Sequence, residues 1–258
     1  MLDDRCWMPE QAFSASIRRV KHLYVHIPFC HRICPYCSFH KHTPGGTDMT
    51  AFVDALLREA EKQPLKPQTI FFGGGTPTML SDVHLERLLR GLQERVDMSE
   101  VVEFTMEANP RTVTASKAAI MREMNVTRVS LGIQAWDDET LKTLGRDHAR
   151  ADAEATWQVL KEAGFPSLNL DLMFSIPGQS VETWHQTLEH TISLQPDHIS
   201  AYNLNYEEDT DFFRRLKAGE YREDEGRDAE FFNLAIDTLE GGGFEHYEIS
   251  NYAKPGHR

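Results

Sequence analysis

Leu23-Tyr-Val-His-Ile-Pro-Phe-Cys30-His-Arg-Ile-Cys34-Pro-Tyr-Cys37 joins a β-type apolar run to a loop holding three thiols within eight residues. Five more such runs follow, at Thr69 to Phe72, Val101 to Met106, Arg128 to Ile133, Leu168 to Phe174 and His198 to Leu204. Between them lie stretches of helical period at Ala51 to Lys62, Val83 to Val96, Ala115 to Met124, Ala151 to Ala163 and Val181 to Leu194. In the second of these, Leu85, Leu88, Leu89 and Leu92 fall on one face. Ser81-Asp82 and Ser180 are helix caps by type, and Gly164 stands where a helix ending at Ala163 needs its stop. Strands alternating with helices predict parallel βαβ units with right-handed crossovers. The pattern alone leaves open whether the sheet closes into a barrel.

The chain beyond this rhythm reads differently. Glu207 to Arg227 is densely charged, Glu230 to Leu239 is helical up to Gly241-Gly242-Gly243, and Phe244 to Ile249 is a candidate seventh strand. Residues 1–21 read as a leader, 22–206 as the core, and 207–258 as the start of an extension that stops in a loop at Lys254 to Arg258. The length of 258 residues suffices for a sizeable core without disulfides. Lys plus Arg number 27 against 40 Asp plus Glu, and the net charge of −13 argues against broad nucleic-acid binding and a polybasic membrane anchor. No apolar run reaches the roughly 18 to 20 residues of a membrane span, and the acidic start Met1-Leu-Asp-Asp-Arg5 is not a signal peptide. The expectation is a cytoplasmic protein.

Cys30, Cys34 and Cys37 are too crowded for a disulfide framework, while Cys6 stands apart as an ordinary thiol. Two metal readings are open. Zinc needs a fourth ligand, from His31, His40 or His42. A [4Fe–4S] cluster held by three cysteines leaves one iron for a non-protein ligand. Gly73-Gly-Gly-Thr-Pro-Thr78 closes the second strand, where glycines let backbone approach a ligand. It lacks the Lys-Ser/Thr of a nucleotide P-loop. Glu107, Gln134 and Asp171 stand at or near the C-terminal ends of strands, the rim at which parallel α/β folds bind ligands.

The Cys-x-x-x-Cys-x-x-Cys spacing, with Tyr36 before the third cysteine, resembles the radical S-adenosylmethionine superfamily. Phe72-Gly-Gly-Gly-Thr-Pro-Thr78, Glu107-Ala-Asn-Pro110, Leu131-Gly-Ile-Gln134, Leu144-Gly-Arg146 and Asp171-Leu-Met-Phe-Ser-Ile-Pro-Gly178 resemble its branch of oxygen-independent coproporphyrinogen III oxidases and haem chaperones. The resemblance covers roughly residues 22–255 and implies a partial (β/α)6 TIM-like barrel. It implies Cys30, Cys34 and Cys37 as ligands of a [4Fe–4S] cluster. It also implies S-adenosylmethionine contacts, at one or two positions, from Tyr24, Tyr36, Gly74, Gly75, Thr76, Glu107, Gln134, Arg146 and Asp171, with Arg146 pairing a carboxylate through its planar fork.

Within the branch, the oxidases carry a cysteine two residues past the third cluster cysteine; Phe39 occupies that position here, as an aromatic residue does in the haem chaperones. Ser38 departs from the Asp usual before it. The haem-associated His-Asn…Tyr-Trp motif of the chaperones' C-terminal region has no match, so the chain reads as a fragment or truncated product. The resemblance therefore implies a haem chaperone, with haem or a porphyrin, a reductant protein and a haemoprotein client as partners. The alternative is a radical enzyme on coproporphyrinogen or another substrate, an oxidoreductase using a 5′-deoxyadenosyl radical. His22, His84, His185 and His190 read as surface or helix-packing residues, Trp136, Trp157 and Trp184 as core, and Glu220 to Asp228 as a solvated face.

Overall fold

A computed structural model describes residues 20–258. Cys6 and nearly all of the expected leader lie outside the described residues. Six parallel strands run in sequence order: β1 (His22–Ile27), β2 (Thr69–Gly74), β3 (Glu103–Ala108), β4 (Arg128–Gln134), β5 (Ser167–Phe174) and β6 (His198–Asn203). Each parallel step requires a crossover. α1 (Met49–Ala60), α2 (Asp82–Gln93), α3 (Ala115–Glu123), α5 (Arg150–Ala163) and α6 (Val181–Ser193) supply them, with the short α4 (Asp138–Thr143) ahead of α5. Beyond β6 come α7 (Asp211–Lys217), α8 (Glu225–Gly241), β7 (Glu245–Glu248) and β8 (Asn251–Ala253). β8 pairs antiparallel with β6, and β7 lies outside it, giving the order β1-β2-β3-β4-β5-β6-β8-β7. β1 and β7 are not paired to each other, so the barrel is partial, as expected.

The local signals act as their chemistry dictates. Ser81 and Ser180 accept from the amides of His84 and Thr183 at the starts of α2 and α6, and Gly164 ends α5 in the left-handed conformation at φ 69°. Leu85, Leu88, Leu89 and Leu92 are all buried. Trp136, Trp157 and Trp184 are core residues; Trp184 is wholly buried and gives its indole N–H to Phe231 O at 3.0 Å. Truncating it to Ala would cost about 3–5 kcal/mol.

The strands are two-faced in an unusual sense. Val25, Ile27, Ile70, Phe72, Phe104, Met106, Val129, Leu131, Leu168, Leu170 and Ile199 pack outward in the helix-covered core. The alternate positions face a lumen and are polar: Glu103, Thr105 and Glu107 on β3, Arg128 and Ser130 on β4, Asn169 and Asp171 on β5, His198 and Ser200 on β6. A closed (β/α)8 barrel fills this space with branched apolar side chains. Here the polar lining makes it a chamber.

Three readings of the C-terminal stretch change. The charged run from Glu207 contains α7, whose Phe212 is fully buried with Leu144, Met173, Ile176 and Leu204 in a second small core. Glu220 to Asp228 is not only a solvated face: Arg227 donates to the carbonyls of Ile176 and Gln179, and its guanidinium lies over the Phe231 ring. β7 is shorter than Phe244 to Ile249, because a turn at Ile249 and Ser250 folds the chain back into β8.

Candidate active site

The loop after β1 carries the three thiols and is held from several sides. Cys30 N–H donates to His42 O at 3.0 Å and His42 N–H to Pro28 O at 2.8 Å, which closes the loop on itself. Phe212 N–H reaches Pro35 O at 3.1 Å, so α7 holds its middle. Tyr36 meets the Phe212 ring at 6.1 Å between centroids. The glycine turn seats the other side: Gly75 N–H donates to Ile27 O and Thr76 N–H to Phe29 O, both at 2.8 Å. A Cβ on Gly75 would stand 2.7 Å from Phe29 O and Pro28 C, and one on Gly74, at φ 112°, 2.6 Å from the His26 ring. Gly75 therefore makes room for the start of the thiol loop, and Gly74 for the His26 ring of β1.

Two donors point at sulfur. Arg146 Nη1 lies 3.5 Å from Cys34 Sγ, and Thr76 Oγ1 lies 3.8 Å from Cys30 Sγ. Arg146 also donates from Nη2 to Asn109 Oδ1 at 2.6 Å and Gly132 O at 2.7 Å. Its Nε is buried without a partner. Asn109 in turn gives its amide N–H to Thr76 Oγ1 at 2.7 Å. A buried, incompletely bonded guanidinium beside thiols is a site built for negative charge.

Among the described residues, no three His, Cys, Asp or Glu side chains are gathered as one metal ion requires. A single zinc holds its sulfurs at about 2.3 Å, whereas a cubane takes one thiolate on each of three irons. The donor set of three thiols flanked by a cation and a hydroxyl fits the cluster.

The thiols open into one cavity of about 740 Å³. Tyr36, Gly74, Gly75, Glu107, Gln134, Arg146 and Asp171 line it together with all three cysteines. Two expected residues stand differently. Thr76 is buried behind Cys30, and Tyr24 lies at the outer edge, its ring stacked on Phe71 and its hydroxyl 3.0 Å from His26 Nδ1. Burial pushes the Glu107 carboxyl up to about 7, reinforced by the charge of Asp171 and opposed by the Gly74 amide. Burial raises Asp171 as well, while bonds from Ser130, Asn169 and Ser200 favour its charged form. Gln134 sits at φ 71° on a β-bulge in β4, a strained non-glycine position of the kind found at binding sites.

Sequence reasoning passed over Asn109, Ser130, Asn169 and His198, all on the chamber wall. Asn109 lay inside the quoted Glu107-Ala-Asn-Pro110. The others carried a signal in their alternation with apolar residues, which a lumen-facing strand imposes.

A model of the radical SAM superfamily matches residues 24–191. The haem chaperone HemW of Lactococcus lactis is 36% identical over 235 residues, covering 90% of this chain and 62% of that protein. HemW of Escherichia coli is 37% identical over 242 residues, covering 92% and 63%. Among solved structures, the coproporphyrinogen III oxidase of E. coli, described as a radical SAM enzyme, aligns with a TM-score of 0.84 at 26% identity over 96% of this chain and 60% of that one. This chain spans a little over three fifths of the length of these curated relatives. With a parallel partial barrel, a three-cysteine loop at its rim and a family match over most of its length, the chain belongs to the radical SAM superfamily.

Proposed function

We propose that this chain is the cluster- and S-adenosylmethionine-binding part of a haem chaperone of the HemW kind. Residues 22–206 are its core, and 207–258 begin an extension that buttresses the cluster loop through α7. Cys30, Cys34 and Cys37 hold a [4Fe–4S] cluster. Tyr24, Tyr36, Gly74, Gly75, Thr76, Glu107, Gln134, Arg146 and Asp171 form the S-adenosylmethionine site. When bound, the cluster offers an open iron to the methionyl group and a source of one electron.

The protein's own part is electrostatic and geometric. Arg146 and Thr76 direct donors onto the sulfurs, which damps the negative charge of a loaded loop. Asn109 couples the two by accepting from Arg146 and donating to Thr76, so they are set as a unit. Glu107 and Asp171 present acceptors to a ligand's ammonium and hydroxyl groups across the same chamber. The α7 buttress shields the underside of the loop from water.

The observation carrying this reading is the convergence of three thiols, a buried guanidinium on one of them and two carboxylates on a single polar cavity. The wider reading takes haem as cargo, a haemoprotein as client, a reductant protein as electron donor and the cytoplasm as location. No helix among the described residues is long and apolar enough to cross a membrane. The second reading, a coproporphyrinogen oxidase-like radical enzyme, is supported by the close structural likeness to that oxidase. Phe39, 68% exposed at the cavity wall where the oxidases carry cysteine, favours the chaperone.

Anaerobic reconstitution with haem titration, run beside a coproporphyrinogen turnover assay, tests the choice. Stoichiometric haem uptake without turnover supports the chaperone. Turnover without haem uptake supports the enzyme.

A further inference from the structure

Five polar side chains of the chamber wall form one hydrogen-bonded chain that ends on Asp171. Tyr247 on β7 lies 2.8 Å from His198 Nε2. His198 Nδ1 lies 2.6 Å from Asn169 Oδ1, which Ser200 also approaches at 3.3 Å. Asn169 Nδ2 donates to Asp171 Oδ1 and to Ser130 Oγ, both at 2.6 Å. Ser130 then donates to both Asp171 oxygens, at 3.1 and 2.9 Å.

The direction of every proton follows from the acceptor at the end. Turning the Asn169 amide over would set its oxygen 2.6 Å from a carboxylate oxygen, so the amide N–H group must face Asp171. Asn169 Oδ1 is then an acceptor, and His198 must carry its proton on Nδ1 to meet it. Burial, with Arg128 and His257 nearby, holds the imidazole down at about 3, so His198 is neutral and its Nε2 is bare. Nε2 therefore accepts the Tyr247 hydroxyl proton. Arg128 also donates toward the Tyr247 oxygen, which agrees with that direction.

The sheet builds this chain from four strands. Ser130 is in register with Asn169, Asn169 with His198, and Asp171 with Ser200. Tyr247 comes from 49 residues beyond His198 by way of the β7–β8 hairpin. At Asp171, Ser130 and Asn169 supply the donors and Ser200 adds a further bond, which together hold the carboxylate in one orientation toward the chamber.

We propose that Asn169, His198 and Tyr247 are positioning residues that orient the Asp171 carboxylate toward the hydroxyls of bound S-adenosylmethionine, making the C-terminal hairpin part of the cofactor site. This rests on Asp171 being one of the S-adenosylmethionine contacts. The chain makes hairpin docking and cofactor affinity two readings of one network. It also gives a purpose to a run of buried polar groups that the thiol loop does not use.

The test is the dissociation constant of S-adenosylmethionine, by equilibrium dialysis on the reconstituted full chain, together with the 15N spectrum of its histidines. Asn169→Leu and His198→Leu should each weaken binding by about tenfold, the scale of one lost bond to a charged group. His198→Asn keeps an N–H for Asn169 and should return affinity to within about threefold of the parent. Tyr247→Phe should weaken binding about threefold, leave His198 on its Nδ1–H tautomer and shift the Nε2 resonance as its hydrogen bond is lost.

An Nε2–H tautomer in the parent protein would overturn the proposal, as would a His198→Asn variant no better than His198→Leu. Should a core variant fail to fold, Tyr247→Phe on the exposed hairpin and the tautomer of the parent still decide. Asp171→Asn separates the two levels. If it leaves affinity unchanged, Asp171 is no contact and the underlying reading falls. If it weakens binding while Asn169→Leu and Tyr247→Phe do not, only the positioning role falls.

Discussion

The guanidinium of Arg146 lies against the thiol of Cys34, with Nη1 3.5 Å from Sγ. The two residues are 112 positions apart in sequence, and β4 and the turn after α4 bring them together. A buried cation there stabilises whichever form of a neighbouring group is more negative. In Arg146→Gln, a bound cluster should be harder to reduce, its potential falling by on the order of 50–100 mV. Redox titration followed by EPR checks the direction; an unchanged or higher potential would show that Arg146 does not act on the cluster.

Glu107 gives a pH signature of the ligand-free chain. Its carboxyl is held at about 7 against an ordinary 4.5, by burial first and by the charge of Asp171 second. Between those values the folded chain holds a proton that the unfolded chain has lost. The contribution of Glu107 to stability is therefore fully present below about pH 4.5 and is lost as pH rises through 7. The loss is on the order of 2–3 kcal/mol. His148, held down at about 4, and His198, at about 3, push the other way. The measurement is thus the difference between parent and Glu107→Gln in urea unfolding at pH 5 and pH 8, in which their contributions cancel. The variant should gain relative to the parent at pH 8, and a constant difference would contradict the shift.

Gly75 allows no side chain. A Cβ there would stand 2.7 Å from backbone atoms of Phe29 and Pro28, so Gly75→Ala must displace the thiol loop. Stability should drop by about 1–3 kcal/mol, and iron incorporation should drop with it. Gly46→Ala, where nothing lies within 4 Å, is the control and should behave as the parent. Iron analysis after reconstitution and thermal melts report both.

Phe212 should behave as part of the site rather than of a dispensable tail. It is fully buried, its amide holds Pro35 O, and its ring meets Tyr36. Phe212→Ala should cost about 3–5 kcal/mol and loosen the thiol loop, seen as faster loss of iron to a chelator. Parent-like iron retention in a folded variant would show that α7 does not support the loop.

The sequence made the order of strands and helices legible because each helix carries an apolar stripe and a cap of the expected type. Ser81 with Leu85, Leu88, Leu89 and Leu92 is the clearest case. The thiol loop was legible from spacing alone. α7 was hidden because Asp211 to Lys217 is only seven residues long and mostly charged, and its two phenylalanines make no periodic stripe. The polar chamber was hidden for another reason. Strands covered on one face by helices and lining a polar lumen on the other show alternation only if polar residues are weighed as inward-facing. Asn169-Leu-Asp171 and His198-Ile-Ser200 look like interruptions of an apolar run until the sheet is curved around them. Arg146 was picked out by its motif, but its place on the cavity wall beside Cys34 was not legible, since no local pattern encodes a contact across 112 residues.

The central claim is that the three thiols and the chamber form one cluster-and-cofactor site. The most direct measurement is the EPR spectrum of the anaerobically reconstituted, reduced chain, recorded with and without S-adenosylmethionine. The account predicts a [4Fe–4S]+ signal, with about four irons per chain, that changes when S-adenosylmethionine is added. It predicts that Cys30→Ala, Cys34→Ala and Cys37→Ala each lose that signal. A signal indifferent to S-adenosylmethionine, or zinc in place of iron, would contradict it.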